Sequence, residues 1–326
     1  MSPIAGTDSG TRIGSVDVRQ LAALVAIADH GTFSAAARAL YTVQSNVSSH
    51  IARLEKELGA VLVDRTHGGL TDDGVRVVER ARRVLRELDD IASDMAQHDG
   101  DVIGDVRLGM LGTTARWLLP RLLSEIGIRF PHVRAIVAEG STSVLIPALL
   151  SGQYNAAIIH LPVDDPELTI EPLFAEDLLL LTGPNHPLGA REEISLAELA
   201  GHRLLLPPPG SALRRVLDRA ARSVGVQLEA QAEIDGVRLL ATLAVDGHGA
   251  AIVPATAIPQ TAARHHHSMR VPELPPRVVA LAYHRRPAPS AAAKALFDVV
   301  REVLPARALE QPGVRLGSDA FPLSTR

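Results

Sequence analysis

Between Gln44 and Leu58 the sequence QSNVSSHIARLEKEL places serines, an asparagine and a glutamine where a solvated helix normally carries mixed charges. On a helical wheel Val47, Ile51, Leu54 and Leu58 fall in one stripe about 60° wide, the side that would face a core. Opposite them lie Ser45, Ser49, Ala52 and Lys56, flanked by Asn46 and Arg53, while Glu55 and Glu57 turn toward the edges. That outer face is small, hydrogen-bonding and cationic. Entry into a DNA major groove needs such a face, because bulk prevents close approach and acids repel phosphates. A generic solvated helix is the competing reading of this segment taken alone.

Little else in the chain suggests reaction chemistry. His265, His266 and His267 form the one metal-like run, but neighbours in an extended segment point to alternate sides and rarely share an ion. No metal site and no cofactor are expected. His248, in DGHGAAIVP, reads as a loop residue. The chain has no cysteine, which excludes disulfides, thiolate metal sites and thiol catalysis together. No nucleophile elbow, phosphate-binding loop, HExxH or dinucleotide fingerprint is present. An enzyme is therefore not expected.

The 326 residues, 46% hydrophobic and 21% charged, suffice for two or three domains with their own cores. The formal net charge of -4 argues against a surface coated in positive charge, so any DNA contact must be local. No apolar run approaches a membrane span and the first residues do not resemble a signal peptide, so the expected location is cytoplasmic, with no membrane partner.

Several elements must position the polar helix. Residues 1–15 and 307–326 are Gly/Ser/Pro-rich and aperiodic, and read as a disordered and a flexible tail. From Val18 to about Leu70 the pattern predicts three short helices and a hairpin. Leu21, Leu24, Val25 and Ala28 mark the first apolar face, Gly31 stops that helix, and Ser34 reads as the cap of the second, with Phe33 packing across its start. From Thr71 to about Gln97 an unbroken helix carries Val77, Ala81, Val84, Leu88, Ile91 and Met95 at heptad spacing. It would run about 35 Å. Its apolar seam either packs on the same domain or pairs two chains, and polar residues on the other faces favour pairing. Past Gly100 the period alternates between two and 3.6, an α/β pattern.

The run FSAAARALYTVQSNVSSHIARLEKELGAVLVDRTHGGLTDDG, Phe33 to Gly74, closely resembles the winged helix-turn-helix of LysR-type transcriptional regulators. The resemblance implies a DNA-binding regulator. Gln44 and Ser45 would touch base edges, with Asn46, Ser49, Arg53 and Lys56 on the same groove face. Arg65 and His67 would lie in the wing, and Ser34 would receive a phosphate. Three positions depart from the family pattern. Val43 stands where Ser or Thr usually precedes the glutamine, Ser49 where arginine is frequent, and Val63 where the wing usually has an aromatic. The first removes a helix cap unless Thr42 or Ser45 replaces it.

The resemblance also implies an α/β effector-binding module of two periplasmic-binding-protein-like subdomains. The expected division is 16–74 for the winged helix-turn-helix, 75–99 for the linker and dimerisation helix, and 103–306 for the effector module. Within that module 103–175 and 272–306 form one subdomain and 176–271 the other. Ligands bind such sheets outside the carboxyl ends of strands. Leu111, Gly112, Thr113 and Thr114, then Ser141, Thr142 and Ser143, then Pro209 and Ser211 follow strands there and favour a small anionic effector. Any one hydroxyl could simply cap its helix; their convergence is the argument. Arg214 and His160 are weaker candidates. The expected partners are a double-stranded DNA operator, the effector, a second copy or a tetramer of this chain, and RNA polymerase. A cytoplasmic solute-binding or enzymatic α/β protein with an N-terminal interaction module is the alternative.

Overall fold

The computed structural model describes residues 16–65, 69–95, 101–189, 191–259 and 266–317. The chain divides after Asp89 into two compact units. In the first, α1 (Val18–His30), α2 (Phe33–Ala39) and α3 (Gln44–Leu58) surround a core of Leu24, Ile27, Val47, Ile51, Leu54 and Leu62. Asp17 opens α1 through a reciprocal capping box with Gln20, and Gly31 closes it in the left-handed conformation. The second helix differs from expectation at its start. Thr32, rather than Ser34, caps α2 by accepting from the Ala35 amide at 3.1 Å.

A short antiparallel bridge, Val63 to Leu70, forms the base of the hairpin, and α4 (Asp72–Met95) follows. Gly74 is needed at its start: a Cβ there would come within 2.0 Å of the Leu62 carbonyl oxygen. The seam of α4 divides. Ala81 is buried and Val77 partly buried, so both face inward within the single chain, whereas Val84, Leu88, Ile91 and Met95 are exposed. Leu58, expected in the core stripe of α3, is also exposed, at 43%. It is the last helical residue before the left-handed Gly59, where the chain leaves the helix path.

The second unit begins with β1 (Gly104–Met110), α5 (Gly112–Arg129), β2 (Val133–Glu139), α6 (Thr142–Leu150), β3 (Ala156–His160) and β4 (Leu168–Glu176). The chain then crosses into a second sheet with β5 (Leu178–Thr182), α7 (Leu196–Leu199), β6 (Arg203–Leu206), α8 (Ala212–Ser223), β7 (Glu229–Glu233), α9 (Val237–Val245) and β8 (Ala250–Pro254). A 3-10 turn, Ala255–Ala257, and β9 (His267–Arg270) complete that part before the chain returns through β10 (Arg277–His284), α10 (Ala291–Glu310) and β11 (Val314–Arg315).

The first sheet has strand order β11-β4-β10-β3-β1-β2, and the second β7-β6-β8-β5-β9. In the first, β1 lies parallel to β2 and β3 while β10 runs antiparallel to β3 and β4. One of its faces packs Leu118, Leu122 and Phe174 with Phe297 of α10, and the other packs Leu145 and Leu149 of α6 with Ile159. The second sheet is likewise covered on both faces, by α8 on one and α9 on the other. Strands buried on both sides read as unbroken apolar runs, which is why LLLL and AAIVP carry no alternation. The architecture is a helical winged helix-turn-helix followed by two α/β subdomains. The expected flexible tail is corrected in part: α10 continues to Glu310 and β11 pairs with β4. Residues 1–15, and 318–326 of the other tail, lie outside the described residues, as does the helix expected beyond Met95.

Candidate nucleic-acid interface and effector cleft

Val47, Ile51 and Leu54 are completely buried, which fixes the rotation of α3. Gln44, Ser45, Asn46, Ser49, Arg53 and Lys56 are then all exposed on the opposite side. Two of the glutamine-end groups are held in place. Ser34 donates to Gln44 Oε1 at 2.7 Å, and Asn46 donates through Nδ2 to Thr42 Oγ1 at 3.0 Å. Val43 occupies the cap position with no side-chain bond, and neither Thr42 nor Ser45 replaces it. Arg53 and Lys56 have no ion pair among the described residues.

Glu55, which the helical wheel left at the edge, ties the wing to α3. Its Oε1 accepts from the amides of Leu62 at 2.9 Å and Val63 at 3.2 Å, and its Oε2 pairs with Arg65 at 3.5 Å. The Arg65 guanidinium also stands over the Phe33 ring, 5.9 Å from its centre. At the other strand of the wing, Thr71 donates to the Val61 carbonyl at 2.6 Å and accepts from the Gly74 amide at 3.0 Å. Val63 is buried, so a smaller side chain than the usual aromatic fills that part of the core. His67 lies outside the described residues. Between α2, α3 and the wing is an open recess of about 410 Å³ lined by Thr32, Ser34, Gln44, Ser48, Asp64 and Arg65.

In the second unit the strand ends bring some of the expected residues together. Thr113 is buried and accepts from Arg277 at 2.9 Å; Arg277 also donates through Nε to Glu176 at 2.9 Å. Glu176 is fully buried and its other oxygen accepts from the amide and hydroxyl of Thr256 at 2.9 and 2.8 Å. Four groups from both subdomains thus meet at the two chain crossings. Thr142 is engaged as well, its hydroxyl accepting from the His160 amide at 3.0 Å. Burial, with the Arg277 charge second, lowers the His160 pKa to about 4, so its ring is neutral at pH 7. Ser141 stands at the cap position of α6 without capping it, and its hydroxyl lies 2.9 Å from that of Ser143. Thr114 is fully buried with its hydroxyl unpartnered, and Leu111 is buried.

The remaining candidates stay apart from this group. Ser211 caps α8 by accepting from the Arg214 amide at 3.2 Å, and Pro209 is exposed. Arg214 is structural, bound to Asp218, Glu233 and the Pro207 carbonyl. The first turn of α5 is also occupied by the chain itself. A Cβ on Gly112 would lie 2.1 Å from Glu139 Oε1, and Glu139 pairs with Arg238 of α9 at 2.8 Å. Burial, and then the neighbouring Arg238, holds Arg116 below the usual guanidinium range. Glu176, Arg277, Glu139 and Arg238 carry no local signal in the sequence, because each meets its partner only after the chain has crossed between sheets.

A helix-turn-helix with an exposed polar and cationic helix, followed by a two-lobed α/β unit, is the architecture of a DNA-binding regulator. Comparison with known proteins gives the family. Residues 18–80 match the bacterial regulatory helix-turn-helix of the lysR family, and residues 99–305 match the LysR substrate binding domain. The hydrogen peroxide-inducible genes activator of Pectobacterium carotovorum is 31% identical over 88% of this chain and 96% of its own length. A probable activator of the same kind from Streptomyces viridosporus is 34% identical over 73% of this chain and 78% of its own. Among solved structures, a full-length OxyR variant from Pseudomonas aeruginosa covers 90% of this chain and 97% of its own at TM-score 0.71 and 23% identity. Full-length CbnR in complex with its target DNA covers 90% and 100% at TM-score 0.63 and 22% identity. The chain belongs to the LysR family of DNA-binding transcriptional regulators. It is not an enzyme.

Proposed function

We propose that this regulator, working in the cytoplasm, reads a partly palindromic operator as a dimer or a pair of dimers. Gln44 and Ser45 contact base edges, with Asn46, Ser49, Arg53 and Lys56 along the same groove, while Arg65 and His67 of the wing and Ser34 contact the backbone. The observation that carries this reading is the rotation of α3, whose buried Val47, Ile51 and Leu54 turn the serine and arginine face outward. Val84, Leu88, Ile91 and Met95 form the pairing seam, and half-sites lie one helical turn apart.

The effector binds between the subdomains near Thr113, Thr114, Ser141 and Ser143, and carries an anionic group that competes with Glu139 for Arg238 and the first turn of α5. Ligand then shifts the subdomains, and through them the paired DNA heads and polymerase access, with a coupling of about 1 to 3 kcal/mol. Peroxide sensing through a thiol needs a cysteine, and this chain has none. A thiol-based covalent response, whatever the peroxide-inducible relatives do, is therefore excluded, and we take the response to be reversible ligand binding.

The test is fluorescence anisotropy on a duplex from the gene's own upstream region. Arg53→Ala and Gln44→Ala should each lower specific affinity by about 1 to 3 kcal/mol with the dimer intact by sedimentation. Unchanged affinity in both would refute the assignment of this face.

A further inference from the structure

Two stretches of chain join the subdomains covalently, one at Asp177 between β4 and β5, the other between β9 and β10. A third crossing is made without a peptide link. After α10 the chain turns at Gly313, φ +83, and lays β11 along the edge of the first sheet, Val314 opposite Glu176 and Arg315 opposite Ala175. From there it also grips the second subdomain. Gln311, buried, donates through Nε2 to the Ala255 carbonyl at 2.6 Å, in the turn that follows β8. The Asp177 amide donates to the Gly313 carbonyl at 2.8 Å, and the Ala255 amide donates to the Asp177 carbonyl at 2.9 Å. Arg315 pairs with the Asp177 carboxylate at 2.8 Å. Val314 packs against both the first-sheet core around Phe174 and the second-sheet core around Leu181 and Val253. The approach is close: a Cβ on Gly313 would lie 3.1 Å from the Ala255 Cβ.

We propose that Gln311–Arg315 is a strap restraining the hinge between the subdomains, and so limiting how far the effector cleft opens and closes. Two single-chain crossings leave a hinge free to bend, since rotation is absorbed by a few residues at element ends. A segment bonded to one subdomain, the other and the crossing residue itself takes up that freedom. Its anchors are backbone groups at Ala255, Asp177 and Gly313, so small subdomain rotations must break them in concert.

The absence of cysteine makes the test direct. Spin labels at Lys294→Cys on α10 and Arg222→Cys on α8, both exposed positions, report the distance between subdomains in the full chain by double electron–electron resonance. Gln311→Ala with Arg315→Ala removes the two side-chain grips and leaves the backbone bond at Gly313, and Val314→Ala thins the shared packing. The distribution should broaden at least about twofold, or shift its mean, in either variant while circular dichroism stays that of the parent. Unchanged distributions in both overturn the proposal. If Val314→Ala fails to fold, the polar double variant, whose core is intact, decides alone. No DNA enters the measurement, so its outcome is independent of the operator-binding assignment.

Discussion

Val43 offers the sharpest perturbation of the recognition helix. It sits at the cap position of α3, 60% exposed as a residue, with no side-chain bond to the first turn. The nearby hydroxyl of Thr42 is taken by Asn46 Nδ2, and the Asn46 amide reaches only the Val43 carbonyl, at 3.1 Å. Val43→Thr exchanges a methyl already largely in water for a hydroxyl of nearly the same shape. That hydroxyl can accept from the amide of Ser45 or Asn46. A restored cap should stabilise the helix by about 1 kcal/mol. Such a change is about fivefold in an opening equilibrium, and about 4 to 8 °C in the melting of a unit this size. Native-state hydrogen exchange of the full chain reads it locally: first-turn amides of α3 should slow about fivefold, with Val43→Ser behaving alike and Val43→Ala showing no gain. If the threonine and serine variants both exchange like the parent, the capping account of this helix is wrong.

Three further outcomes are expected. Leu88→Asp should yield monomers in sedimentation and weak operator binding, because a charge would then face its own copy in the exposed seam; a normal dimer would place the pairing surface elsewhere. Glu139→Gln removes the carboxylate over the first turn of α5 and frees Arg238, so inorganic phosphate or a carboxylate metabolite should stabilise the variant at lower concentration than the parent in thermal-shift titration. Equal midpoints would discard the competition. His160 titrates near 4 when folded, by burial first and Arg277 second, against about 6.5 unfolded. The folded state thus binds fewer protons in that window: stability is whole above about pH 6.5, falls toward about pH 4 by up to about 3 kcal/mol, and is level below. The urea midpoint of the parent should drop across this range more than that of His160→Gln, and parallel curves would exclude the residue.

The first unit was largely legible because its signature residues act over short separations. Gly31 and Gly59 end helices in the left-handed conformation, and the apolar stripe of α3 follows the helical period. Even there, Ser34 read as a cap because serine is a good one; the neighbouring Thr32 takes that role, and Ser34 instead fixes Gln44. Leu58 fits the stripe by angle but lies past the last turn that the core can cover. The cleft was legible only as a set of loops. Which loop hydroxyls remain available depends on Arg277 and Glu176, 101 positions apart in sequence, and on Glu139 reaching the helix start at Gly112. Periodicity carries no information about such meetings. The strap escaped for a related reason: QPGVRLG is too short and polar to signal a strand, and becomes one only because the edge of β4 is there to receive it.

The charge arrangement of the first unit ties its two functions together. Some of its arginines are already committed to acids, Arg76 to Asp73 and Arg82 to Asp29, while Arg65, half-exposed, is shared with Glu55. Arg53 and Lys56 are the exposed cations that α3 keeps uncommitted. With so few phosphates neutralised by one head, the sequence-independent part of binding is small and falls off steeply only when heads act in pairs, since the salt slope grows with the number of phosphates contacted. In the proposed dimer, pairing through the outward half of α4 would supply affinity as well as geometry. On that proposal, a ligand that changed the head spacing would cost one head its half-site, and a single weakly charged head would not hold the operator alone.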